Sequence, residues 1–184
     1  MDPLEQAKSR PRFVAEAVRT ALRDAVAWRI GGGRAPSAQA FIGAAVASAR
    51  IALDTIDASP GECSRTLAAV QRVAERFTRS ALYRRVMHVP AARFVRLQRG
   101  AHDADVIVRD RRRRLHAIVL TVVRDAFDAG RIATRVALAT SLGIGDRLNP
   151  LTIHVFSLGT GHRLTFERDV LERPPDRSGT AHVA

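Results

Sequence analysis

Lysine is nearly missing from this chain. Of 30 basic residues among 184, Lys8 is the one lysine and the other 29 are arginine. A phosphate-binding loop with its lysine, a Schiff-base lysine and a lysine-dependent nuclease centre are all excluded together, because each needs a primary amine in a built site. Cysteine is as scarce: Cys63 stands alone, so no internal disulfide can form, which fits a reducing cytoplasm. Aromatic residues make up 5%, and Trp28 and Tyr83 are too few and too far apart to act as base-stacking platforms. No apolar run approaches the roughly 20 residues that span a bilayer. The alanine-rich stretch 40–49 is short and closed by Arg50, and the opening MDPLEQAKSRP carries no apolar signal-peptide region. The expectation is a cytoplasmic protein without membrane contact.

What is present is positive charge, unevenly placed. The net charge is +12, and residues 72–114 hold thirteen arginines against Glu75, Asp103, Asp105 and Asp110, a local +9. A basic concentration of this kind favours a polyanion, most often nucleic acid, through release of condensed counterions. Arginine is also abundant in proteins from GC-rich genomes, so part of the excess reflects composition alone. At 46% hydrophobic residues, the chain can bury a real core.

Apolar spacing predicts a helix over 13–30, with Val14, Val18, Ala21, Leu22 and Ala25 on one face and Arg19 and Arg23 off it. Gly31–Gly33 ends that helix. With a helix rather than a strand before it, this glycine run resembles a phosphate-cradling loop only on the surface. Ser37 is placed to cap a second helix, 38–57, gathering Phe41, Ile42, Ala45, Val46, Ala49, Leu53 and Ile56. Ser59-Pro60-Gly61-Glu62 starts a third helix, expected to run to about His88. Its core stripe is Leu67, Val70, Ala74, Phe77 and Ala81, and opposite lie Arg65, Arg72, Arg76 and Arg79, a row that suits either solvent or phosphate.

Three β-rich runs follow: Phe94–Leu97, Val106–Val108 and Ile118–Val123, the last too apolar to face water on either side. Arg111, Arg112, Arg113 and Arg114 form the link before the third. A fourth helix spans 125–142, with Asp125 and Asp128 at its start and Ile132, Val136, Ala139 and Leu142 as its buried stripe. A strand over 152–158 turns through Gly159-Thr160-Gly161 into Arg163–Phe166, a C-terminal hairpin. The fold class is therefore α+β: N-terminal helices, then a mixed sheet in the order helix-β-β-β-helix-β. Residues 1–61 form a helical region and 62–172 the α+β core. Residues 173–184 read as a disordered tail.

That order, with Asp105 ahead of the second strand, resembles the restriction-endonuclease-like PD-(D/E)XK superfamily over roughly residues 62–158. The resemblance implies an aspartate on the second strand and a (D/E)-x-K tripeptide on the third, the carboxylates holding a divalent cation that activates water. It places Asp105 as the first acid and the weak metal candidate, with Asp103 beside it, and Glu75 as a supplementary acid from the preceding helix. The tripeptide position reads Val119-Leu120-Thr121, without acid or lysine. A decayed centre is the expectation, with Mg²⁺ only if cleavage survives. His102 beside Asp103 and Asp105 fits a polar turn better than a metal cluster, and His154 on an alternating strand fits a structural histidine better than a base.

The leading function read from the chain is non-catalytic nucleic-acid binding, DNA or RNA. Its expected contacts are Arg72, Arg76, Arg79, Arg111, Arg112, Arg113 and Arg114, acting as one continuous surface. The alternatives are an assembly subunit, docking on protein partners or on copies of itself, and a metal-dependent nuclease centred on Asp103, Asp105 and Glu75.

Overall fold

The computed structural model describes residues 3–95, 104–122, 125–144 and 150–168, with side chains placed outside 3–12 and 141–144. Among these residues the chain forms five α-helices and a mixed five-stranded sheet. Helix α1 is Pro3–Ile30, α2 Ala38–Thr55, α3 Pro60–Thr78, α4 Ala81–Met87 and α5 Ala126–Ile144. The strands are β1 Phe94–Val95, β2 Val106–Arg109, β3 Leu115–Thr121, β4 Leu151–Ser157 and β5 Arg163–Glu167. His102, Asp103 and the 173–184 tail lie outside the described residues. No described helix is long and apolar enough to cross a membrane.

Serine caps set the helix starts. Ser37 Oγ accepts from Ala40 N, Ser59 Oγ from Glu62 N ahead of Pro60, and Ser80 Oγ from Tyr83 N. The last of these corrects the expected third helix, which does not run unbroken to His88. Ser80 is extended (φ −72°, ψ 151°), so the chain stops at Thr78 and restarts as α4. The restart turns Tyr83 onto Phe41 and Phe77, with ring centroids 5.2 and 5.6 Å apart, and leaves Ala81 exposed rather than in the core stripe. Helix α2 likewise ends two residues early: Ile56 is its C-cap and is exposed.

The sheet order is β1-β2-β3-β4-β5, with β3 at its centre. β1, β2 and β3 pair antiparallel, β3 and β4 pair parallel across the α5 crossover, and β5 returns antiparallel on β4. β3 and β4 are buried along nearly their whole length because both faces of the sheet are covered. One face carries Val106, Val108, Ile118, Leu120 and Phe156 against α1, α3 and α4, with α2 laid across α1 and α3. The other carries Ile107, Leu115, Ala117, Val119, Leu151, Ile153 and Val155 against α5. The buried line on α5 is Ala129, Ala133, Val136 and Ala137, rotated from the expected Ile132–Val136–Ala139 line, because alanines let the helix sit close to the sheet. The first two helices share the sheet's core.

Candidate functional site

Asp105 sits immediately before β2, its N–H donating to Ile118 O at 2.8 Å. Its side chain has no solvent exposure, and both carboxylate oxygens are engaged. Oδ1 accepts from Arg19 Nε at 2.7 Å and from Arg23 Nη2 at 2.9 Å; Oδ2 accepts from the backbone N–H of Leu120 at 2.7 Å. Arg19 and Arg23 are one helical turn apart on α1, and Glu16 on the same edge accepts from both, at 3.0 and 3.1 Å. Two carboxylates and two guanidiniums therefore form a locally neutral latch that ties α1 to the start of β2 and the end of β3.

This geometry decides what Asp105 can do chemically. A divalent cation would have to displace two guanidiniums and a backbone N–H, and among the described residues the further oxygen ligands that Mg²⁺ requires are not gathered around it. Glu75 accepts from Gln71 Nε2 at 3.0 Å and faces Arg79 at 3.9 Å. Val119 is buried against α5 and Thr121 is half-buried. Among the described residues no three His, Cys, Asp or Glu side chains are grouped to hold a metal.

The sequence-predicted arginines divide into two kinds. Arg72 on α3 and Arg79 at its C-cap are exposed, and Arg79 keeps 81% of its side-chain surface in water. Arg76 differs: its Nη1 donates to Gly159 O and, at 3.5 Å, to Leu158 O, clamping the β4–β5 turn. Gly161 in that turn has φ +81°, and a Cβ there would meet Arg76 Cδ at 2.7 Å, so the clamp needs glycine.

Arg111, Arg112, Arg113 and Arg114 are all exposed at the β2–β3 turn. Asp110 Oδ1 pins that turn by accepting from Arg112 N at 2.7 Å and Arg114 N at 2.9 Å. Arg113 is more than the charged contact expected of it. Its φ of +63° puts it in the left-handed region, and its N–H donates to Asp110 O at 3.2 Å, so its backbone makes the corner of the turn. The guanidinium of Arg113 stays in solvent, and its main chain carries a structural role that charge counting does not reveal.

Arg76 and the Arg111–Arg114 turn lie at opposite ends of β3. Arg111, Arg112, Arg113 and Arg114 precede Leu115, whereas Arg76 reaches the turn after Ser157, the partner of Thr121. Six strand rises separate these ends by about 20 Å. Helix α4 supplies arginines that the sequence reading left out. Leu82, Tyr83, Val86 and Met87 are buried, so Arg84 and Arg85 are turned to solvent, and the charge of Arg85 reaches His154 in the sheet.

The sequence also left out a polar chain across the sheet. His116 Nε2 lies 3.4 Å from Asp110 Oδ2, His116 Nδ1 lies 3.2 Å from His154 Nε2, and His154 Nδ1 lies 3.3 Å from Thr165 Oγ1. The two imidazoles lie edge to edge, with centroids 5.4 Å apart and planes within 6°. Burial, followed by the charges of His116, Arg85 and Arg163, pushes His154 down to about 3. Burial raises Asp110, but hydrogen bonds from Arg114 N, the His116 ring and Arg112 N outweigh it and hold the carboxyl below its ordinary value. The alternation on β3 and β4 puts each histidine on the face that carries Ile118, Leu120 and Phe156. Only the parallel register, His116 opposite Thr152 and His154 opposite Ile118, makes them diagonal neighbours.

Comparison with protein-family models, curated proteins and solved structures gives no match.

Proposed function

We propose that the protein binds nucleic acid without cleaving it, on a decayed nuclease-like fold, mainly through backbone phosphates. The observation that carries the reading is Asp105. It stands where the resemblance calls for a metal-binding acid, yet it is buried under Arg19 and Arg23 as a structural anion. The strand beside it offers Val119 and Thr121 in place of an acid and a lysine. The order helix-β-β-β-helix-β supports the fold half of the proposal. Support for the binding half comes from the exposed guanidiniums of Arg72, Arg79, Arg84, Arg85, Arg111, Arg112, Arg113 and Arg114.

The test is a titration of labelled duplex DNA and RNA by fluorescence anisotropy at several salt concentrations. If half of these eight guanidiniums meet phosphates, the log–log slope on B-form DNA is about −3.6, at about −0.9 per contact. A slope near zero, or no binding at low salt, overturns the proposal. Mg²⁺-dependent cleavage lost on changing Asp105 would move the nuclease reading to first place. An assembly subunit is the second reading, favoured by Ile51 on α2 and by Phe127 and Leu138 on α5, all large apolar side chains in solvent.

A further inference from the structure

We propose that two copies of this chain pair edge to edge through β5, as an antiparallel dimer whose twofold axis passes between the two Thr165 residues. This pairing does not depend on the nucleic-acid reading above, and it gives the exposed Phe127 and Leu138 of α5 an occupant.

β5 is an outer strand: β4 lies on one side of it, and no described strand lies on the other. The antiparallel ladder fixes which of its backbone groups are free. Ser157 N–H donates to His162 O at 2.9 Å, so Ser157 and His162 are a hydrogen-bonded pair. Such pairs alternate along antiparallel strands, and the unbroken register makes Val155–Leu164 and Ile153–Phe166 the next two. Leu164 and Phe166 therefore direct their N–H and C=O groups at β4, while those of Arg163, Thr165 and Glu167 point outward. Sheet edges are normally blunted by shortness, proline or a bulge. The opposite edge, β1, is two residues long. β5 is five residues long, has no proline, and keeps its register with β4 over all five pairs.

The sequence of this edge is complementary to itself. Read antiparallel against a copy, Arg163-Leu164-Thr165-Phe166-Glu167 sets Arg163 opposite Glu167, Leu164 opposite Phe166 and Thr165 opposite Thr165. The outward residues of one strand then meet those of the other along the whole strand. A slide by two residues shortens the ladder and takes both charges off their partners. Among the described residues Arg163 pairs with no carboxylate. Glu167 is steadied by Thr152 Oγ1, 3.0 Å from each of its oxygens, and keeps lone pairs for a guanidinium. Opposite charges directly across a ladder attract and like charges repel, so this register is favoured over one that pairs arginine with arginine.

The other face adds a second layer. Leu164 and Phe166 are half-buried against the core under α5, and as a pair outside the hydrogen-bonded positions they come closest across the new junction. α5 packs over β4 and β5, and the Phe166 ring lies 3.9 Å from where a Cβ on Gly130 would stand. The Gly130 flank of α5 is therefore the one beside the edge, with Phe127 and Thr134 a turn to either side and Leu138 the next turn on. Phe127 and Leu138 are 74% and 62% exposed. With strands about 4.8 Å apart, a helix seated between β4 and β5 lies about 10 Å from its copy across the axis, a helix-packing distance. Both apolar side chains are then covered by the same surface of the other copy, as a twofold interface requires.

The test uses the full chain, freed of nucleic acid. Sedimentation velocity from about 1 to about 100 μM should show a species of 20.1 kDa giving way to one of twice that mass. A monomer throughout overturns the proposal. Amide hydrogen exchange locates the contact: the N–H groups of Arg163, Thr165 and Glu167 should slow as concentration rises, and those of Phe94 and Val95 on the opposite edge should not change. Protection that is the same at every concentration means that the edge is covered within one chain. A dimer that leaves the three groups unprotected uses another surface, such as the one around Ile51 on α2. Either result overturns pairing through β5. Arg163→Glu and Glu167→Arg should each raise the dimer dissociation constant about tenfold, because two cross-strand pairs pass from attraction to repulsion. The double exchange should return it to within about threefold of the parent. Thr165→Pro leaves the ladder to β4 intact, since the N–H it removes points outward, and should abolish the dimer. Circular dichroism checks that each variant keeps the parent's fold. If Thr165→Pro does not fold, the charge exchange decides: a folded double variant that dimerises no more tightly than the singles overturns the proposal.

Discussion

Removing the Asp105 carboxylate separates a structural latch from a metal ligand. In Asp105→Ala the buried N–H of Leu120 loses its acceptor, a cost of about 1–3 kcal/mol. The bonds from Arg19 and Arg23 also disappear. These guanidiniums are 28% and 44% exposed, so water recovers much of their interaction, and about 1 kcal/mol each is the appropriate scale. The sum is about 3–5 kcal/mol, which for a domain of this size lowers Tm by roughly 10 °C. With a urea m-value of about 2 kcal/mol/M, the midpoint should fall by roughly 2 M at unchanged m. Asp105→Asn, which retains one acceptor for Leu120 N, should lose about half as much. A double-mutant cycle with Arg23→Gln should return a coupling of about 1 kcal/mol. The assay is urea unfolding followed by far-UV circular dichroism. An Asp105→Ala protein within about 1 kcal/mol of the parent would refute the latch. If that protein also lost a metal-dependent cleavage, Asp105 would be a ligand after all.

Acid should destabilise the protein through His154. Its folded value is depressed to about 3, so below about pH 6.5 the unfolded chain binds a proton that the folded chain refuses. Stability from this residue is complete above pH 6.5 and falls by about 1.4 kcal/mol per unit below it, about 2 kcal/mol by pH 5; urea unfolding at pH 7.5, 6 and 5 should show this slope in the parent and not in His154→Gln. Arg76 should behave as a clamp rather than a phosphate contact, because its guanidinium caps the carbonyls of Leu158 and Gly159. Arg76→Gln should reduce stability by about 1–2 kcal/mol while leaving the salt slope of duplex binding unchanged, whereas the Arg72→Gln/Arg79→Gln pair should do the reverse. Gly161→Ala should cost a similar amount and be non-additive with Arg76→Gln, since both act on one contact; strict additivity would sink that account.

The local features of this fold were legible because short-range chemistry produces them. Ser37 and Ser59 cap their helices through their own hydroxyls, and the apolar run of β3 could only lie inside a sheet. Ser80 shows where such reading stops. Arg79 and Ser80 continue a helical pattern acceptably, and what ends α3 there is the gain from placing Tyr83 against Phe41 and Phe77. That contact spans three helices and leaves no local signature. Arg76 fails for the same reason: its row on α3 is regular, but the carbonyls it holds are more than 80 residues away. Arg113 is a nearer case, since four identical arginines give no sign of which one takes the left-handed corner.

Sequence alone determined the chemical inventory: one lysine, one cysteine, a concentrated arginine surplus, and a third β-rich run without acid or lysine. It also determined the order of helical and strand segments apart from the break between α3 and α4, because helical and strand periodicities are carried by residues a few positions apart. Tertiary structure decided what those residues meet. Asp105 is an acid at the head of a strand until α1, 82 residues away in the chain, delivers Arg23 to it, and then it is the buried end of a part-buried ion pair. His116 and His154 are two histidines 38 positions apart until the parallel register of β3 and β4 sets their nitrogens 3.2 Å from one another. Burial and pairing depend on which distant segments share a surface, and that is fixed by the packing of the whole core rather than by any short stretch of chain.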